Sequence, residues 1–111
     1  MTIMASDQNF VDFVTDQIKD SGGIIAKKMF GEYAIYSNGK IFGLICDNKL
    51  FIKPTKSGRE FIGEVVESPP YPGAKPAFLI GDKIEDSEWL SELVRISVKE
   101  LPVPRLKMKK K

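Results

Sequence analysis

Residues Ile24–Lys53, IIAKKMFGEYAIYSNGKIFGLICDNKLFIK, decide the fold. The stretch predicts four short strands in succession, over 24–30, 32–37, 40–46 and 49–53. Gly31, Asn38-Gly39 and Asp47-Asn48 separate them. Asn-Gly is a strong hairpin signal, because both corner residues of a type I′ turn need positive φ. In 32–37, Tyr33 and Ile35 share one face, and Ala34 and Tyr36 the other. The segment 40–46 is apolar on both sides, with Phe42, Leu44 and Cys46 opposite Ile41, Gly43 and Ile45. Such a strand is central and needs cover on both faces. Helices supply one cover. A second copy of the chain or the long loop near residue 70 supplies the other. Pro54 ends the run, since it cannot donate to a ladder.

A first helix precedes the strands, capped by Ser6 or Asp7 and running to about Ser21. Phe10, Phe13, Val14, Gln17 and Ile18 repeat at the spacing of one helical face. Gly22-Gly23 closes it. After the strands, Ser57-Gly58-Arg59-Glu60 has the S-x-x-E form of a capping box, opening a short helix through about Val66. Ser68-Pro69-Pro70-Tyr71-Pro72-Gly73 cannot be regular structure, because proline removes donors and restricts φ. Ala77–Ile80 reads as a brief strand and Gly81-Asp82 as a turn. Asp86 caps a last helix to about Leu101, with Leu90, Leu93, Val94, Ser97, Val98 and Leu101 inward. Pro102 and Pro104 stop it. The expected fold is α+β, an antiparallel sheet of about five strands with helices packed on one face, in the order α-β-β-β-β-α-β-α.

Length and composition set limits on function. The chain has 111 residues, 42% hydrophobic and 29% charged, the size and balance of one domain. No apolar run approaches a membrane span, and no signal peptide is evident. One cysteine cannot form an internal disulfide. Together these features predict a cytoplasmic protein. Five of the 17 basic residues are Arg105, Lys107, Lys109, Lys110 and Lys111, and no acid lies among them. Residues 1–104 therefore hold twelve basic against 15 acidic side chains. The expected organisation is one domain over 1–104 and a basic, disordered tail over 105–111.

There is no histidine. That removes Ser-His-Asp and Cys-His catalysis and His-ligated metals, and one Cys cannot build a zinc site. No glycine-rich phosphate loop is present. The chain is expected not to be an enzyme, and no cofactor or metal is expected. Cys46 reads as a small buried hydrophobe rather than a redox sensor, being on an apolar strand beside Asp47. The acidic group Glu85, Asp86, Glu88 and Glu92 suits the first turn of a helix. Glu64 and Glu67 read as surface charges.

Three segments have two readings each. Met29, Phe30, Gly31 and Tyr33 can serve packing alone, or Lys27, Lys28 and Tyr33 can form part of a docking surface. The Pro-rich loop can close over the sheet, or it can present Tyr71 and Lys75 to a partner. The tail can serve solubility, or Arg105, Lys107, Lys109, Lys110 and Lys111 can contact phosphates in a salt-sensitive way.

Several of these pieces resemble one family when taken together. They are Phe10-Val11-Asp12-Phe13-Val14, Lys28-Met29-Phe30-Gly31-x-Tyr33, the Asn38-Gly39 hairpin, Tyr71-Pro72-Gly73-Ala74-Lys75-Pro76 and the Trp89-Leu90 helix. In this order they are similar to the N-terminal domain of the TfoX/Sxy competence regulators, in a short form with a lysine-rich tail. The resemblance implies a bacterial cytoplasmic α+β domain with no catalytic residues. It implies a regulator-like binding module whose partner is a protein, transcription machinery or another regulator. Larger members act with the cyclic-AMP receptor protein at promoters and carry a second, helical domain. The expectation here is a short member without that domain. A homodimer is a further expectation, from the doubly apolar central strand.

Overall fold

Three tight links generate most of the sheet in the computed structural model, which describes residues 6–29 and 31–101. Strands β1 (Ile24–Met29), β2 (Glu32–Ser37), β3 (Lys40–Cys46) and β4 (Lys49–Ile52) form an antiparallel meander. Asn38 and Gly39 both take positive φ, +50° and +86°, as a type I′ corner demands. Asp47 and Asn48 do the same at +54° and +56°. The sheet has six strands rather than five. Residues Glu67–Ser68 form a two-residue strand, β5, that pairs with β6 (Ala77–Ile80). Sequence gives little warning of β5, since it is two polar residues before a proline run. The spatial order is β1-β2-β3-β4-β6-β5, every pair antiparallel.

All three α-helices pack on one face. Helix α1 (Gln8–Gln17) continues as a 3-10 turn (Lys19–Ser21), so the α-helical part ends earlier than expected. Neither Ser6 nor Asp7 caps it through its side chain. Their polar groups go elsewhere: the Asp7 N–H donates to Asn48 Oδ1, and the Asn48 N–H donates to Ser6 Oγ. The inward face of α1 is Val11, Val14 and Ile18, while Phe13 is 40% exposed. The expected stripe keeps Phe10, Val14 and Ile18, but packing against α3 (Ser87–Glu100) puts Val11 inward where Phe13 was expected.

Helix α2 (Lys56–Ile62) departs from the capping-box reading. Thr55 is the N-cap, its Oγ1 accepting the Gly58 N–H at 2.9 Å. The side chain of Glu100, at the end of α3, accepts the N–H groups of Lys56 and Ser57. Helix α2 stops before Gly63, four residues short of the expected end at Val66, and Val66 is exposed. Asp86 caps α3 as expected, accepting the Trp89 N–H. At the other end of α3, Lys40 Nζ donates to the Val98 carbonyl, a favourable place for a cation on the helix dipole.

A bulge sets which side chains of β3 reach the helices. Ile35 pairs with Gly43 but Tyr36 pairs with Ile41, so Phe42 is the extra residue. Strict alternation would place Phe42 with Leu44 and Cys46. The bulge instead puts it with Ile45 in the helix-side core, fully buried. Gly43 is required by close approach, because a Cβ there would stand 2.6 Å from the Phe51 carbonyl oxygen. The core on this side draws on α1, α3, β2, β3, β4 and β6, with Phe78, Ile52, Leu90 and Leu93 among its fully buried members.

Residues 102–111 and Phe30 lie outside the described residues, and with them the basic tail and the expected role of Phe30.

Candidate functional site

None of the described helices lies on the opposite face of the sheet. Its buried cluster is small: Cys46, Phe51 and Ala77, with Leu44 and Leu79 partly covered. The register places Leu44 across from Phe51 and Phe51 across from Leu79. The Pro-rich loop lies over this face. Within it, the Ala74 N–H donates to the Tyr71 carbonyl at 3.0 Å, around a corner made by Pro72 and Gly73. Gly73 sits at φ +89°, the arrangement of a type II turn with proline leading. That stiff turn holds Tyr71 outward, 55% exposed.

Between loop and sheet lies a cavity of about 760 Å³, within the usual range for ligand sites. Met29, Leu44, Cys46, Pro70 and Pro72 give it an apolar lining. Tyr71 adds an aromatic ring, Glu32 and Asp47 add carboxylates, and Tyr33, whose hydroxyl turns to α1, borders the edge. Glu32 is fixed in place by two backbone donors, Ser6 N–H to Oε1 at 3.0 Å and Asp47 N–H to Oε2 at 2.9 Å. Asp47 meets Lys49 Nζ at 3.3 Å, with both side chains more than half exposed. Cys46 is buried, and burial raises its thiol pKa; the nearby Glu32 and Asp47 charges raise it further. The thiol thus stays protonated near neutral pH, the opposite of what a redox-sensing thiolate needs.

The candidate residues separate into those this site collects and those it does not. Tyr33 and Tyr71 both line the cavity. Tyr33 is nearly buried, and its hydroxyl donates to Gln8 Oε1 at 3.1 Å. Lys27 and Lys28 do not make one patch. They are successive residues of a strand and point to opposite faces. The Lys27 ammonium stands over the Tyr36 ring and that of Lys28 over the Tyr33 ring. Lys75 is exposed on the loop, away from the cavity lining. Arg105, Lys107, Lys109, Lys110 and Lys111 fall outside the described residues. Two of the acidic residues near α3 have structural partners, Asp86 as cap and Glu92 paired with Arg95. Glu67 pairs with Arg59.

Sequence reasoning missed Glu32, Leu44 and Asp47 as site residues. The signal was the two-residue period of β3, which sets Leu44 and Cys46 on the face that a proline loop could roof. Among the described residues no group of three or more His, Cys, Asp or Glu could hold a metal ion. None of the described helices is long and apolar enough to cross a membrane.

The architecture is that of a small antiparallel α+β domain with helices on one face and a loop-roofed cavity on the other. The chain belongs to the TfoX N-terminal domain family, whose model matches residues 16–101. It is also similar to a Spirochaeta aurantia protein described as an uncharacterized 12.7 kDa protein in the trpE 5′ region. The two are 38% identical over 102 residues, covering 92% of this chain and 89% of that protein.

Proposed function

We propose that this domain is a non-catalytic binding module, a transcription- or competence-regulator-like protein of the bacterial cytoplasm that works by contacting a protein partner. The supporting observation is Tyr71, held outward on the rigid Pro72-Gly73 turn beside an apolar cavity on the helix-free face. Exposed aromatics on stiff turns suit recognition, because little side-chain entropy is lost on docking. The partner class comes from the family, whose larger members regulate genes. In this reading Tyr71 is the anchor and Tyr33 lines the cavity beside it, while Lys27, Lys28 and Lys75 lie outside the lining.

Affinity capture from native cytosol with the full chain and with Tyr71→Ala tests it. A transcription factor or polymerase subunit retained by the parent chain and lost by the variant is the expected result. Identical captures from both, or none from either, would count against it. The second reading, direct nucleic-acid binding, draws on the five basic side chains of 105–111. Duplex DNA titrated at several salt concentrations would show affinity falling steeply with salt and vanishing on deletion of the tail. The homodimer is a third use of the same open face, and light scattering at high concentration reads it directly.

A further inference from the structure

We propose that the cavity beneath the Pro70–Pro72 loop binds a small amphiphilic organic cation, with its apolar body against Leu44 and Cys46 and its ammonium group toward Glu32 and Asp47. The inference goes beyond partner docking, because it concerns a small molecule seated beneath the loop.

Three observations carry it. The cavity, about 760 Å³, is large enough for a compact organic molecule, and most of its lining residues are apolar or aromatic. Its charged lining residues are two carboxylates, and no basic residue is among them. Those carboxylates differ usefully. Glu32 is held by the Ser6 and Asp47 N–H groups and has no ion-pair partner among the described residues. Asp47 is paired with Lys49 only on the solvent side, where both side chains are largely exposed and the pair is weak. An incoming ammonium therefore meets a fixed negative charge without displacing a buried partner. The Tyr71 ring, free on the loop, adds a π-face of the kind that attracts organic cations. Lys28, although close along β1, holds its ammonium over the Tyr33 ring and is not part of the lining.

An anionic or neutral ligand of the same shape would use the apolar surface but gain nothing from the carboxylates. Charge is thus the discriminating variable. The test is a calorimetric and amide-shift titration of the full chain with hexyltrimethylammonium, 1-hexanol and hexanoate. The cation is expected to bind saturably and to shift the Leu44, Cys46 and Tyr71 amides. It should bind about tenfold more tightly than hexanol, as one favourable charge interaction of ordinary size would give, with hexanoate weaker still. Asp47→Asn, which suits the positive φ at that corner, should weaken the cation alone. Leu44→Trp should narrow the cavity and weaken binding of all three probes. If that variant loses its fold, Tyr71→Ala at an exposed position supplies a second test, a selective loss of cation affinity. Equal affinity for the three probes would overturn the proposal. So would the absence of saturable binding, or amide shifts confined to the helix-side face. None of these outcomes depends on whether Tyr71 also captures a macromolecule, so the two readings fail separately.

Discussion

The two faces of the sheet are built from the same strands and do different work. On the helix side, α1 and α3 bury an extended apolar layer against β2, β3, β4 and β6. On the other side, among the described residues, the buried cluster is only Cys46, Phe51 and Ala77, beside a proline-rich loop. Cohesion is concentrated on one face, which leaves the second free to enclose a space. The bulge at Phe42 is what separates the roles, because it transfers the bulkiest side chain of β3 from the cavity side to the core.

The contrast breaks if truncations on the two faces cost the same. Phe42→Ala should lose about 3–5 kcal/mol, the range for a fully buried Phe. Leu44→Ala, half-buried on the loop side, should lose under about 2 kcal/mol by area. Urea denaturation of both variants makes the comparison, and equal losses would show that the loop side is as load-carrying as the helix side. Gly43→Ala comes next. It places a Cβ against the Phe51 carbonyl, a backbone atom that cannot rotate away. The expected cost is about 1–3 kcal/mol, as for other overpacked sites. A neutral result in thermal melts would mean that β3 and β4 can spread apart. Tyr71→Ala should change stability by no more than about 0.5 kcal/mol, as for a surface side chain, while altering binding. A large fall in melting temperature would mean that the loop is structural.

The smallest effect concerns pH. Hydrogen bonds from the Ser57 and Lys56 N–H groups lower the pKa of Glu100. Its folded pKa is depressed, so its contribution is present above its ordinary value of 4.5 and disappears as pH falls through the folded value. Glu100→Gln should therefore lower stability slightly near neutrality and leave it unchanged in strong acid, which flattens the acid limb of the stability curve below about pH 4.5. An unchanged acid limb would remove Glu100 as a cap of α2.

Much of the fold was legible in the sequence because its turns are local. Asn38-Gly39 and Asp47-Asn48 specify their hairpins through backbone φ alone. Asp86 announced α3, and Pro54 ended β4. What was not legible depends on distant partners. That Val11 faces inward on α1, and not the expected Phe13, rests on where α3 lies. Thr55 displaced Ser57 as cap because Glu100, over forty residues away, satisfies the next two N–H groups. The bulge at Phe42 leaves no local trace except the glycine beside it. For the cavity, Tyr33 and Tyr71 were visible as candidates, but Glu32 was not. Its role is set by a meeting of the N-terminal segment with the β3–β4 corner, which no window of sequence contains.

That meeting has a dynamic consequence. One carboxylate ties Ser6 to Asp47, and Asn48 returns the tie through Ser6 Oγ and the Asp7 N–H. Release of Glu32 would free the start of the chain and this corner together, as a single opening unit distinct from global unfolding. Hydrogen exchange would then find Ser6, Asp47 and Asn48 opening in step, and the space beside them would widen each time the latch let go.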